Sequence, residues 1–289
     1  MTETQQDHQT RQRDGARTRM TMRSLGPFFA LAFGLGWGLA APAILFTDQV
    51  EAIFGPISGT NPLFILAVYS PGIAGVLLVW RHYGLTGLGR FFRRLTLWRM
   101  PAVWWLLLLV GVPAVKYLGA ALGGHLGDPF PFSPWYDLFP AVLIVLLIGP
   151  IEELGWRGVA LPLLQRRFAP LGASLILGAV WGLWHFPAFL LSGTPQSAWS
   201  FGPYVLGVLA LGVIVTPMFN AARGSLLIPI IFHFQINGPA WPEAQPWENY
   251  LFAIVAVLIV VVNRRTMLQR GSGVTEVLAP VSDRRVSNR

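Results

Sequence analysis

The segment that decides the fold is Gly149-Pro150-Ile151-Glu152-Glu153-Leu154-Gly155-Trp156-Arg157-Gly158, which directly follows the unbroken apolar run 141–148. Such a run is typical of a helix in lipid. The two carboxylates and the arginine that follow it therefore come where the chain should still lie within the bilayer. A charged side chain at that depth costs at least ~2.5 kcal/mol on insertion scales, and it usually faces a polar interior and serves a function. We therefore expect the rest of the chain to form a helical cage around this polar point.

The composition indicates a membrane protein. The chain has 289 residues, of which 54% are hydrophobic and only 12% are charged, and its mean hydropathy is +0.54. Soluble domains carry about 25% charged residues. The sequence contains no cysteine, which excludes disulfides, cysteine-ligated metals and cysteine nucleophiles. We predict an all-α fold, a polytopic transmembrane helical bundle.

About eight apolar segments are long enough, or nearly long enough, to cross a hydrocarbon core of ~30 Å. They lie at 25–46, 62–80, 101–122, 138–164, 172–192, 201–219, from 224 onward, and 250–262. We expect one membrane-embedded domain at 25–265, with its motif core at about 145–240. A disordered cytoplasmic tail at 1–24 precedes it, and a second cytoplasmic tail at 266–289 follows it.

The basic residues predict the orientation of the bundle. With the N-terminus in the cytoplasm and eight alternating spans, 19 of the 21 Lys and Arg residues fall in cytoplasmic segments, and Lys116 and Arg157 fall inside spans. The outer loops carry no Lys or Arg but do carry acidic residues, Glu248 among them. This distribution is the positive-inside pattern. Arginines that alternate with apolar residues at about 84–99 predict an amphipathic helix in the interface, with its arginines on a solvated, lipid-facing stripe. The net charge of +8 thus indicates contact with anionic lipid, and we expect no nucleic-acid partner.

Polar residues recur at membrane depth on three of these segments. Glu153 and Arg157 are four residues apart and can pair on one helix face, whereas Glu152 is rotated by about 100° and points elsewhere. His185 lies in the fifth segment, inside Trp181-Gly-Leu-Trp-His185. In the seventh segment His233 and Asn237 are again four residues apart. These side chains are therefore expected to share one cavity.

This set of side chains suits hydrolysis. An unpaired carboxylate, Glu152, can act as general base for water, and His185 can hold that water or pass its proton to the leaving amine. His233 and Asn237 can donate hydrogen bonds to an oxyanion. A metal version is open, since Glu152, His185 and His233 would form a known zinc ligand set, but no His-Glu-x-x-His helix is present. We favour no metal and no cofactor, with zinc as the alternative.

The order of these motifs resembles the CPBP family of CAAX-protease and bacteriocin-processing (Abi) intramembrane endopeptidases, which includes the type II CAAX prenyl proteases. The resemblance rests on Glu152-Glu153-x-x-x-Arg157, Trp181-x-x-x-His185 and His233-x-x-x-Asn237, over about 145–240. It implies Glu152 as catalytic glutamate, His185 as its water-holding partner, and His233 and Asn237 as the oxyanion site. Glu153, Arg157 and Trp181 would support them. The family usually has Phe where this chain has Trp181, which alters the shape of the pocket.

The resemblance implies an endopeptidase in the cell membrane that cleaves a peptide or protein substrate, which need not be prenylated. Two other functions stay open: a non-proteolytic scaffold or bacteriocin-immunity protein of the same fold, and a proton-coupled transporter, since Glu and His within spans also build proton relays. The intact set of polar residues argues against the scaffold, and the absence of an evident repeat disfavours the transporter. The sequence predicts neither the cleavage site nor the oligomeric state.

Overall fold

The computed structural model describes residues 19–279, and within them it is helical and contains no strand. In chain order the helices are α1 (Leu25–Leu45), α2 (Thr47–Phe54), α3 (Pro62–Val68), α4 (Ser70–Phe92), α5 (Ala102–Gly123), α6 (Trp135–Gln165), α7 (Pro170–Trp184), α8 (Phe201–Ala221), α9 (Leu227–Ile236), α10 (Trp247–Val262) and α11 (Arg264–Leu268). The all-α prediction is confirmed.

Five helical segments are long and apolar enough to cross a membrane: Met22–Leu45, α5, α6, Pro170–Leu190 and α8. Helices α3 and α4 would make a sixth crossing, bent by 51° at the break between them. Helices α9 and α10 occupy the seventh and eighth predicted segments but fall short, since the ten residues of α9 rise only about 15 Å. The molecule is thus a multi-pass membrane protein with five or six spans by length and composition, where about eight were predicted. The cytoplasmic placement of both termini stays a prediction.

Helix packing brings the motif-bearing elements together. Helix α7 packs along α8, α8 packs along α10, and α1 packs along α4. Helix α4 crosses the middle of α6 so closely that a methyl group added at Gly75 would lie 2.9 Å from Cα of Gly155. The C-terminal part of α9 lies against the same region, because α9 packs on the turn Gly149–Glu152, where His233 is close to Gly149. These contacts place the polar part of α6 at the centre of the bundle.

Helix α6 changes its hydrogen-bond pattern where its charges lie. Its α-helical start ends at Ile148, the turn Gly149–Glu152 is 3₁₀, and Trp156–Ala160 is a π-helical turn. Pro150 has no N–H to donate, which accounts for the break in the regular ladder. π-Helical turns are rare and occur frequently at functional sites. The irregular segment is therefore the part of α6 that presents Glu152, Glu153 and Arg157.

The predicted interfacial helix at 84–99 differs from the structure. Helix α4 runs on to Phe92, with a kink at Gly84 (φ 65°, ψ −167°) that a residue with a side chain would rarely adopt. Arg94 is not on a solvated stripe: it is buried, and its guanidinium donates to the carbonyl oxygens of Gly224 (2.6 Å), Gly158 (2.7 Å) and Val277 (2.7 Å). The prediction of a solvated stripe was wrong for Arg94, because backbone carbonyls from three distant segments satisfy its buried guanidinium.

Both ends of the described chain are attached to the bundle. Residues 1–18, most of the predicted disordered tail, lie outside the described residues. Disorder does not extend to residues 19–24, since Met20 is buried and its N–H donates to the Tyr83 hydroxyl (3.0 Å). At the other end, residues 274–279 form what we call the C-terminal segment. Arg90 donates to Ala279 O (2.9 Å) and Arg166 to Thr275 O (2.9 Å), so these arginines bind it to the ends of α4 and α6.

Candidate active site

A cavity of about 680 Å³ opens beside the irregular part of α6. The four residues predicted to be catalytic all line it: Glu152, His185, His233 and Asn237. The other lining residues include many aromatic side chains, among them Trp37, Trp181, Trp184, Trp199, Tyr204 and Trp241. The structure therefore brings the predicted residues of three separate segments to one cavity whose wall includes several aromatic side chains.

Glu152 is the carboxylate without a cationic partner. It is 3% exposed, and its Oε2 accepts hydrogen bonds from the indole N–H groups of Trp181 (2.8 Å) and Trp156 (3.1 Å). Among the described residues, no side chain or backbone group donates to its other oxygen, Oε1, and no Lys, Arg or His forms an ion pair with it. Glu152 therefore keeps one carboxylate oxygen free of protein partners.

Glu153 is neutralised, as the sequence predicted. Its Oε1 lies 2.8 Å from Nη1 of Arg157, one helical turn later, and 2.8 Å from Nδ1 of His233 on α9. All three side chains are buried. Since a carboxylate oxygen can only accept, Nδ1 of His233 carries a proton, and Glu153 thereby links the Glu-Glu motif to the His-Asn motif.

His185 is the residue that ends α7 and precedes a short 3₁₀ segment, Phe186–Leu190. Its Nδ1 lies 2.8 Å from the Trp181 carbonyl oxygen, which can only accept. The proton therefore lies on Nδ1, and in the neutral ring Nε2 is the acceptor. The backbone of α7 thus fixes both the orientation and the tautomer of this histidine.

His233 and Asn237 converge on the backbone of α6. Helix α9 ends at Ile236, so Asn237 follows the helix instead of lying within it, although its N–H still bonds to the His233 carbonyl (3.2 Å). A methyl group built on Gly149 would lie 3.0 Å from Asn237 Nδ2 and 3.1 Å from His233 Nε2. The two side-chain nitrogens therefore flank one point at the cavity wall, a position that glycine leaves open.

A second ionic pair lines another part of the cavity. Lys116 of α5 pairs with Glu248 of α10, and both are nearly buried. Gln245 donates to the other oxygen of Glu248 (2.6 Å). The prediction that Glu248 lies in an outer loop was wrong, because it is in the first turn of α10.

Two contributors were not identified as site residues from the sequence. The Trp156 indole contacts Glu152 from the following turn, which the i,i+4 spacing could have revealed. Tyr204 of α8 lines the cavity and packs against the His185 ring, with 5.5 Å between ring centroids. Nothing in the sequence around Tyr204 singles it out, because its role depends on the packing of α8 against α7.

The zinc ligand set that the sequence left open as an alternative is not assembled among the residues that the structure describes. Within residues 19–279 no group of three or more His, Asp or Glu side chains is placed to hold a metal ion. Nδ1 of His185 and Nδ1 of His233 are both engaged by protein acceptors. Glu152, His185 and His233 line the cavity, but among residues 19–279 they do not form a metal-binding group.

Comparison with known proteins agrees with the motifs. Residues 134–238 match the family model described as type II CAAX prenyl endopeptidase Rce1-like. A relative, CAAX prenyl protease 2 of Methanococcus maripaludis, is 37% identical over 144 residues, which cover 48% of this chain and 51% of the relative. The chain thus spans about half the length of the curated relative that it matches. The resemblance to this group of endopeptidases is confirmed, and the matched region contains every predicted site residue.

Proposed function

We propose that this chain is an intramembrane endopeptidase that hydrolyses a peptide bond with a water molecule activated by Glu152. The observation that supports this most directly is the contrast between the two adjacent glutamates. Glu153 is paired with Arg157 and His233, whereas Glu152 lines the cavity and its Oε1 has no protein partner among residues 19–279. A general base must be unpaired and must face the space that admits water, and in support of this role Glu152 lines the cavity without an ion-pair partner among residues 19–279.

The proton movements follow from the positions of the side chains. Glu152 accepts a proton from water as the water oxygen bonds to the peptide carbonyl carbon. When the carbon–nitrogen bond breaks, the amine leaves with a proton supplied from Glu152, directly or through Nε2 of His185. The Nδ1–H of His185 stays hydrogen-bonded to the Trp181 carbonyl oxygen throughout, which keeps Nε2 available for this transfer.

The carbonyl oxygen becomes an oxyanion in this step and needs donors. We assign this role to Asn237 Nδ2 and His233 Nε2, which flank the open position at Gly149. Each such donor is worth about 3–4 kcal/mol of transition-state stabilisation. Nε2 of His233 donates when the ring carries both protons, and that charge would balance the negative charge that Glu152 and Glu153 leave after pairing with Arg157.

The substrate that we propose is a membrane-associated peptide or protein segment in the cell membrane. The cavity is enclosed by helices with exposed apolar surfaces, such as those of Leu143 and Leu147 on α6, which suit contact with lipid. The relative's name indicates a protease for CAAX prenyl substrates. A prenylated peptide that ends in Cys-a-a-X is therefore the first probe to use, with the same peptide unprenylated beside it.

Cleavage of these peptides by the purified protein in liposomes tests the proposal. We expect wild type to release the C-terminal fragment and Glu152→Gln to release none, since glutamine has the shape of glutamate but cannot accept the proton. Glu276→Gln is the matched control, because Glu276 is exposed and far from the cavity, and it should keep full activity. A chelator should leave the wild-type rate unchanged.

Three results would contradict the proposal. Full cleavage by Glu152→Gln would remove this residue from the mechanism. Loss of activity with chelator, restored by zinc, would replace the glutamate mechanism with a metal one. Absence of cleavage of either peptide and of a membrane-protein mixture would favour the scaffold or the transporter.

A further inference from the structure

Glu152 is held by two tryptophans on the same oxygen. The Trp181 indole on α7 donates to Oε2 at 2.8 Å, and the Trp156 indole, one turn after Glu152, donates at 3.1 Å. Two donors on Oε2 restrict rotation of the carboxylate about its last bond. They leave Oε1 as the oxygen without a protein partner among residues 19–279. The two oxygens of Glu152 are therefore not equivalent.

The Trp181 ring contacts the other members of the site as well. Its centroid is 5.6 Å from the His185 ring and 5.6 Å from the His233 ring. The Arg157 guanidinium carbon lies 4.3 Å from the same ring centroid, a cation–π distance. The position of the ring is therefore fixed by packing, which gives its N–H a defined direction toward Glu152.

Resting on the function proposed above, we propose that Trp181 is a positioning residue: its indole N–H anchors Oε2 of Glu152, so that Oε1 is the oxygen that takes the proton from water. A Phe ring at this place could pack against the histidines and Arg157 but could not donate a hydrogen bond.

The substitution Trp181→Phe separates the two roles of the side chain. It keeps an aromatic ring for packing and for the cation–π contact, and it removes the N–H donor. With the prenylated Cys-a-a-X peptide we expect kcat to fall about tenfold, the effect of one hydrogen bond to a charged group, while KM stays unchanged. Trp156→Phe should cause a smaller fall, since its bond is longer. Trp98→Phe, at an exposed position, is the control for tryptophan replacement.

A purely structural role would give a different pattern. If Trp181→Phe raises KM at unchanged kcat, or lowers kcat no more than Trp98→Phe does, the positioning role is wrong. The same conclusion holds if kcat and KM both equal those of wild type. Failure of the proposed function is distinguishable, since it appears as activity in Glu152→Gln and does not depend on Trp181.

A measurement without substrate decides the matter if wild type cleaves no peptide. Carbodiimides modify buried protonated carboxyl groups, and mass spectrometry locates the adduct. Because an indole donor favours the ionised carboxylate, Trp181→Phe should accelerate labelling of Glu152 several-fold in the folded protein. Equal labelling rates in Trp181→Phe and wild type would overturn the inference, and Glu152→Gln confirms the labelled residue by abolishing the adduct.

Discussion

Replacing Arg94 with methionine should destabilise the protein strongly, although the residue lies outside the cavity. Its guanidinium is 1% exposed and donates three hydrogen bonds of 2.6–2.7 Å to the carbonyl oxygens of Gly158, Gly224 and Val277. Methionine fills similar space but leaves these three carbonyls without that donor. The perturbation therefore tests whether one buried cation fastens three segments together.

The magnitude follows from these three bonds. Hydrogen bonds to a charged group are worth about 1.5–3 kcal/mol each, so about 5–9 kcal/mol of interaction is lost. Removing the buried charge also removes its desolvation cost of several kcal/mol. We expect a net loss of about 2–4 kcal/mol in the free energy of unfolding. Arg94→Lys should lie between wild type and Arg94→Met, since an ammonium cannot reproduce the forked guanidinium geometry.

Unfolding in mixed micelles with increasing sodium dodecyl sulfate, followed by tryptophan fluorescence, measures this loss. Arg99→Met is the matched control: the same change five residues away, at an exposed side chain, should alter the stability by no more than about 0.5 kcal/mol. If Arg94→Met unfolds at the same detergent fraction as Arg99→Met, the backbone carbonyls are satisfied without Arg94 and the reasoning fails.

Two further perturbations probe the site. Glu153→Gln leaves Arg157 buried without its counter-charge and should cost about 3–5 kcal/mol in the same unfolding assay; stability equal to wild type would contradict the buried ion pair. Gly149→Ala places a methyl group 3.0 Å from Asn237 Nδ2 and should lower kcat at least tenfold with little loss of stability. Gly89→Ala, where a methyl group meets nothing within 4 Å, should leave kcat unchanged, and equal rates in both variants would exclude an oxyanion site at Gly149.

The parts of the site that could be predicted were those that depend on the spacing of residues along the sequence. The i,i+4 spacing predicted that Glu153 pairs with Arg157, and the rotation of about 100° per residue predicted that Glu152 points away from that pair. Apolar runs located the helices, because lipid requires every backbone group to be bonded within its own segment. The resemblance implied the roles of the motif residues, and the packing of α6, α7 and α9 placed these residues around one cavity.

Contacts between distant segments could not be predicted. Arg94 and Val277 are 183 residues apart, and no periodicity relates them. The same is true of Lys116 and Glu248, which the charge pattern assigned to a span and to an outer loop. The bend between α3 and α4 and the ten-residue length of α9 were not visible in hydropathy, which predicted about eight spans where five or six helices are long enough.

The C-terminal segment makes the order of synthesis matter for this protein. Arg90, Arg94 and Arg166 are translated long before residues 274–279, which supply some of their carbonyl acceptors. While the helices insert one after another, these arginines lack the carbonyl acceptors of residues 274–279, because that segment has not yet been synthesised. A message with a premature stop before codon 274 would thus yield a chain with its cavity-lining residues present and its guanidinium groups incompletely bonded, a defect that cellular proteases could recognise.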